Sequence, residues 1–141
     1  MHDKHRTGSS VTLPGPRRRV PGRPAEARRT VERVITERCR ARALPCPAQT
    51  MADALLVTSE LTTNALRHGG GITGFDVDVD SDGVRVSVSD RSDALPVAAG
   101  RRDRTLPGGR GWPLVCRLAR DVRVAELPRG GKRITAVVPL R

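Results

Sequence analysis

The segment Ser59-Glu60-Leu61-Thr62-Thr63-Asn64-Ala65-Leu66-Arg67-His68 carries the residue types best suited to chemistry in this chain. On a helix, Glu60, Asn64 and His68 are four apart and share one face, while Leu61 and Leu66 point elsewhere. A carboxylate one turn from an amide suits a magnesium nucleotide. The amide oxygen is a hard donor for the cation, and the carboxylate can orient or deprotonate a nucleophile near the terminal phosphate. The same spacing also suits a polar, solvated helix face. A second segment, Gly108-Gly109-Arg110-Gly111, runs into Trp112 and Pro113. Glycines ahead of a helix let backbone N–H groups approach an anion, Arg110 can add a charge-assisted contact to phosphate, and Pro113 suits a first helical turn. A flexible turn at a helix start has the same composition. Third, Asp90 ends the run Val84-Arg85-Val86-Ser87-Val88-Ser89. In an apolar cleft its carboxylate can accept a hydrogen bond from an adenine amine, and on the surface it can simply open a turn. Fourth, Gly130-Gly131-Lys132-Arg133-Ile134-Thr135 reads as a hairpin turn leading into a strand that bears Thr135.

These residues need a scaffold, and the hydrophobic periodicity supplies one. Ala27, Val31, Val34, Ile35 and Arg38 follow helical spacing over 24–43, and Pro45 and Pro47 end that helix. A second helix is expected over 48–68, burying Met51, Leu55, Thr58, Leu61 or Thr62 and Ala65 or Leu66, with the triple glycine 69–71 stopping it. The period then changes to two. Phe75, Val77 and Val79 alternate with Asp76, Asp78 and Asp80, and after a tight turn at 81–83 Val84, Val86 and Val88 alternate up to Asp90, giving a hairpin with one solvated face. Residues 91–109 read as a long polar connection, 111–120 as a short helix, and 122–127 with 133–140 as a closing hairpin. Val11 to Leu13 could add at most an edge strand. The order of elements predicts an α+β sandwich with helices on one face of a mixed, mostly antiparallel sheet.

Composition narrows the function classes. A length of 141 residues is one ordinary domain. The two aromatic residues, Phe75 and Trp112, leave the core to Val, Leu, Ile and Ala and provide no platform for base stacking. No run approaches the roughly 18 apolar residues that span a bilayer, and the Arg-rich N-terminus lacks an apolar signal core, so a cytoplasmic protein without a membrane partner is expected. The formal charge is +11, but residues 1–30 hold eight Lys or Arg against two acids, a net +6. Residues 1–23, rich in Pro, Gly and Arg, thus read as a basic, disordered arm ahead of a domain at 24–141, and solvation of that arm is preferred to nucleic-acid binding. Cys39, Cys46 and Cys116 form no CxxC and have no His at ligand spacing, so reduced structural thiols are expected.

In combination, the four segments resemble the histidine-kinase-like ATPases. More closely, the stretch from Leu56 to His68, Gly109-Arg110-Gly111-Trp112-Pro113-Leu114-Val115 and Gly131-Lys132-Arg133-Ile134-Thr135 resemble the bacterial anti-sigma regulatory factors with serine-protein kinase activity. The resemblance covers about residues 24 to 140. It implies a Bergerat-type two-layer α/β sandwich that binds ATP and magnesium between sheet and helices. It further implies that Asn64 holds the magnesium, Glu60 is the general base, Asp90 reads adenine, Gly109 and Gly111 lie on the phosphate side, and Thr135 supports the adenine through water. Sigma-factor and anti-anti-sigma partners, and a homodimer, are implied in the same way. The match departs at Ser92, where such proteins usually have glycine, and at Trp112-Pro113, which can stiffen the lid hinge. An alternative is a non-catalytic, partner-binding regulator of the same fold with a degenerate nucleotide site.

Overall fold

The computed structural model describes residues 19–94 and 111–140. The elements are α1 (Pro24–Ala41), α2 (Ala48–His68), β1 (Ile72–Asp80), β2 (Gly83–Asp90), α3 (Gly111–Leu118), β3 (Asp121–Glu126) and β4 (Lys132–Val138). Helix α2 occupies the expected span, and the expected 24–43 and 111–120 helices stop two residues early. The proposed strand at Val11 to Leu13 and most of the 1–23 arm lie outside the described residues.

The four strands form one sheet in the order β1-β2-β4-β3. All three pairings among the described residues are antiparallel, in keeping with the mostly antiparallel sheet expected. Both hairpins join sequence neighbours, and β4 enters between β2 and β3, so every contact made by these strands runs antiparallel. Parity then decides which residues face the helices. Val77, Val79, Val84, Val86, Val88, Ile134, Ala136 and Val138 lie on the helix side and belong to the core. Ala27, Val31, Val34 and Ile35 of α1 and Ala54, Val57, Leu61 and Ala65 of α2 pack onto them. With no Tyr and a single Phe, the layer is built from β-branched and small side chains, which fit a pleated surface.

Two details of the helices differ from the expected faces. Cys39, not Arg38, completes the buried stripe of α1. Arg38 reaches over the edge of the sheet instead, where its Nε donates to Asp78 Oδ1 at 2.9 Å. On α2 the buried face is Thr50, Ala54, Val57, Thr58, Leu61, Thr62 and Ala65. Met51 and Leu55 are only partly buried and Leu66 is exposed, so the face is rotated about one residue from the expected one. Small residues win these positions because α2 is packed by α1, α3 and three strands at once, and bulk fits only at the periphery. Two of the buried hydroxyls are satisfied within the helix, Thr58 Oγ1 donating to Ala54 O at 2.8 Å and Thr62 Oγ1 to Thr58 O at 2.7 Å, while Thr50 Oγ1 donates to Pro139 O at 3.0 Å. No helix among the described residues is long and apolar enough to cross a membrane.

Candidate functional site

The C-terminal half of α2, the start of α3 and the end of β2 converge on one region. Helical geometry puts Glu60 and Asn64 one turn apart on α2, both half-buried. Neither side chain has a hydrogen-bond partner among the described residues. Burial pushes the Glu60 carboxyl above its ordinary value. The first residue of α3, Gly111, packs directly against it. A Cβ at Gly111 would meet Glu60 Oε1, the movable end of that side chain, so an alanine here would push the carboxylate aside. The expected phosphate-side residues Gly109 and Arg110 lie outside the described residues. His68, on the same face as Glu60 and Asn64, ends α2 and is exposed.

At the other end of the region stands Asp90, the last residue of β2, with only 5% of its surface exposed. Its neighbour in the register is Lys132, the first residue of β4, which is 6% exposed. Lys132 Nζ donates to Asp90 Oδ1 and Oδ2 at 3.1 Å each, and to Ser92 O at 3.3 Å. The Ser92 backbone N–H donates to Asp90 Oδ1 at 2.9 Å, an Asx turn. Asp90 is therefore buried, as expected for a base-reading carboxylate, but it is already paired.

The surroundings of this pair are tightly fixed. Arg91 N donates to Gly69 O at 2.8 Å, tying the end of β2 to the end of α2. A Cβ on Gly69 would stand 2.5 Å from Asp90 Cγ, so of the triple glycine it is Gly69 that Asp90 requires. Gly131, at φ +89, approaches the Asp90 carbonyl too closely for any side chain, and its N–H donates to Asp93 Oδ1 at 2.9 Å. Asp93 thereby clamps the β3–β4 turn against the loop that follows β2.

The structure separates Thr135 from this group. Residues 132, 134, 136 and 138 of β4 face the helices, so Thr135 lies on the opposite side of the sheet, opposite Ser87, with Oγ to Oγ1 at 2.9 Å. Thr135 thus corrects to an outer-face residue, because strand parity separates it from Asp90. Lys132 is the residue that sequence reasoning passed over. The signal was present: the alternation Ile134, Ala136, Val138 places Lys132 on their side and Thr135 on the other.

The donor set suits a hard cation and its phosphates at the α2 end. An amide oxygen without a partner among the described residues and a nearby carboxylate are oxygen ligands and proton acceptors of the kind magnesium nucleotides use. No group of three or more His, Cys, Asp or Glu that could hold a metal occurs among the described residues. A magnesium ion here would take most of its ligands from phosphate and water, as that ion commonly does.

Comparison with known proteins agrees with this geometry. A family model described as the histidine kinase-like ATPase domain matches residues 20–138. A search of curated proteins found no match.

Proposed function

The chain belongs to the histidine kinase-like ATPase domain family, and from that premise we propose that it is an ATP-binding anti-sigma regulatory factor with serine-protein kinase activity towards an anti-anti-sigma partner. The observation that carries the proposal is the pair on α2: an amide with no described partner one turn from a carboxylate whose pKa burial raises. Asn64 would hold magnesium through its amide oxygen. Glu60 would take the proton from an incoming serine hydroxyl, a task for which a carboxyl raised towards neutral pH is better matched than an ordinary one. Gly111 sets the α3 backbone against that carboxylate, close enough for N–H groups at the helix start to face phosphate. When bound, ATP with magnesium supplies the transferable phosphoryl group. Exchange between a sigma factor and a phosphorylatable partner, a homodimeric assembly and a cytoplasmic setting belong to the same proposal.

The test is calorimetric titration of the purified chain with ATP, with and without magnesium, repeated on Asn64→Ala. Magnesium-dependent binding that disappears in the variant is the expected result, and binding unchanged in the variant overturns the assignment. A second reading, a partner-binding regulator without phosphoryl transfer, is favoured by one observation, the pairing of Asp90 with Lys132. Phosphorylation of a serine on the partner decides against it.

A further inference from the structure

Cys39, in the last turn of α1, and Cys46, in the connection to α2, are brought together by the way the first helix ends. Leu44 N donates to Cys39 O at 2.9 Å and Ala43 N to Arg40 O at 3.4 Å, the paired bonds of a Schellman turn. Ala43 holds the left-handed position of that turn at φ +54, the one non-glycine residue with positive φ among the described residues. The turn sends the chain back over the last turn of α1, and Pro45 and Pro47 fix φ on either side of Cys46. As a result the Cys39 thiol lies 4.0 Å from Pro45 O and in hydrogen-bonding contact with the Cys46 thiol. Both cysteines are reduced. Their surroundings differ: Cys39 is 6% exposed and inside the core, whereas Cys46 is half-buried at the margin of that core. Burial, together with the contact to Cys46, pushes the Cys39 thiol up to about 11, so it keeps its proton at neutral pH and is inert on its own.

We propose that Cys46 and Cys39 form a peroxide-sensitive modification site, an attacking and a resolving thiol that close a reversible disulfide between the end of α1 and the entry to α2. Neither thiol takes part in the nucleotide site, which lies at the other end of α2. Cys46, the more accessible, attacks one oxygen of a hydroperoxide as its thiolate. An S–O bond forms, the O–O bond breaks, the departing oxygen takes up a proton, and Cys46 is left as a sulfenic acid. The Cys39 sulfur then attacks the Cys46 sulfur. The S–S bond forms, the S–O bond breaks, and the hydroxyl leaves as water with the proton that Cys39 held. Two thiols have lost two electrons and the peroxide has gained them. A small dithiol returns the pair to its reduced form by two exchange steps. Disulfides of this transient kind are the ones that occur in reducing compartments. The alternative use of paired thiols, a structural zinc, needs four ligands, and no group of three or more His, Cys, Asp or Glu that could hold a metal occurs among the described residues.

The test is treatment of the folded, reduced full chain with hydrogen peroxide in a Cys116→Ser background, which removes the exposed third thiol. After the peroxide is quenched the protein is denatured and its thiols are counted. We expect two thiols before treatment and none after, a mass lower by two hydrogens, and a tryptic product that joins residues 39–40 to residues 43–67, all undone by dithiothreitol. The oxidised chain should melt about 5 °C above the reduced one, because the bridge closes a short loop that the native turn has already shaped. In Cys46→Ser on the same background the buried Cys39 thiol should survive the same treatment, and its loss there overturns the assigned roles. Two thiols that persist in the parent chain overturn the proposal, as does a bridge formed only between molecules and seen as a dimer on a non-reducing gel. Oxidation of Cys46 to a sulfinic acid without a link to Cys39 overturns it too. So does a linked chain that melts below the reduced one, since the native turn would then oppose the bridge.

Discussion

Lys132 Nζ stands 3.1 Å from each carboxylate oxygen of Asp90, across the rung that closes the β2–β4 ladder. Breaking such a buried pair from one side leaves a lone charge in the interior. Lys132→Met is expected to lower the unfolding free energy by about 3 kcal/mol in urea denaturation. Replacing both partners, Lys132→Met with Asp90→Leu, should recover most of that loss, since a buried ion pair gains little over apolar residues of similar size. A single-variant loss below about 1 kcal/mol would mean that the pair is solvated.

Glu60 couples folding to pH with the opposite sign from most carboxylates. Its folded pKa is raised by burial above its ordinary 4.5. The neutral acid is favoured in the folded chain, so this contribution is complete below 4.5 and disappears as pH rises through the folded value. Glu60→Gln should be more stable than the wild type at neutral pH and equal to it in acid, measured by thermal melts across that range. Phosphoryl transfer in the same variant should fall by about 100-fold, the scale of a lost general base. Transfer at the wild-type rate would remove Glu60 from that role.

Gly69 and Gly111 each face a carboxylate of the site, and alanine should affect them differently. At Gly69 the new Cβ meets a carboxylate pinned by Lys132, with nowhere to go. Gly69→Ala should cost about 2 kcal/mol or more, as overpacking in a rigid interior does. At Gly111 the obstacle is the far end of a half-buried side chain that can swing aside. Gly111→Ala should change stability by less than about 1 kcal/mol, helped by the better helix propensity of alanine. The displaced Glu60 should nevertheless cut phosphoryl transfer. The two melting curves together with one activity assay separate these outcomes.

Asp78 gives a conventional acid dependence. Burial alone would raise its pKa, but the Val79 N–H, the hydrogen bond from Arg38 and the charges of Arg42 and Arg38 outweigh that and lower it below 3.8. Its contribution is present above 3.8 and is lost as pH falls through the folded value. The side chain is 40% exposed, so Asp78→Asn should cost only about 0.5 kcal/mol at neutral pH. Acid unfolding curves of variant and wild type should converge below that range, and an equal gap at every pH would refute the linkage.

Much of this architecture is legible because periodicity is a local property. The switch from Val31-Val34-Ile35 spacing to the Val84-Val86-Val88 alternation marks helix and strand directly, and Pro45, Pro47 and Gly69 punctuate them. Glu60 and Asn64 are legible for the same reason, since both lie on one helix. What depends on packing between distant elements is harder to read. The α2 face turned towards Ala54 and Val57 is chosen by crowding from α1, α3 and the sheet, whereas hydrophobicity alone points to Met51 and Leu55. Lys132 looks like a solvated turn residue until β4 is set beside β2 and its partner becomes Asp90. The adenine-side role of Thr135 is implied by resemblance alone, and strand parity sets this side chain beside Ser87 on the face away from the helices.

The insertion of β4 between β2 and β3 also has a temporal meaning. Each hairpin joins strands close in sequence and can form within microseconds, but Val86 meets Ala136 only after some fifty residues of chain have been gathered in. Closing that loop is an entropic barrier, and proteins dominated by such distant pairings fold more slowly. The Asp90–Lys132 contact lies on this late ladder, 42 residues apart in sequence. Pairing of Asp90 with Lys132 thus waits on the most distant strand contact in the sheet, whereas Asn64 and Glu60 are set on one face by a single helix.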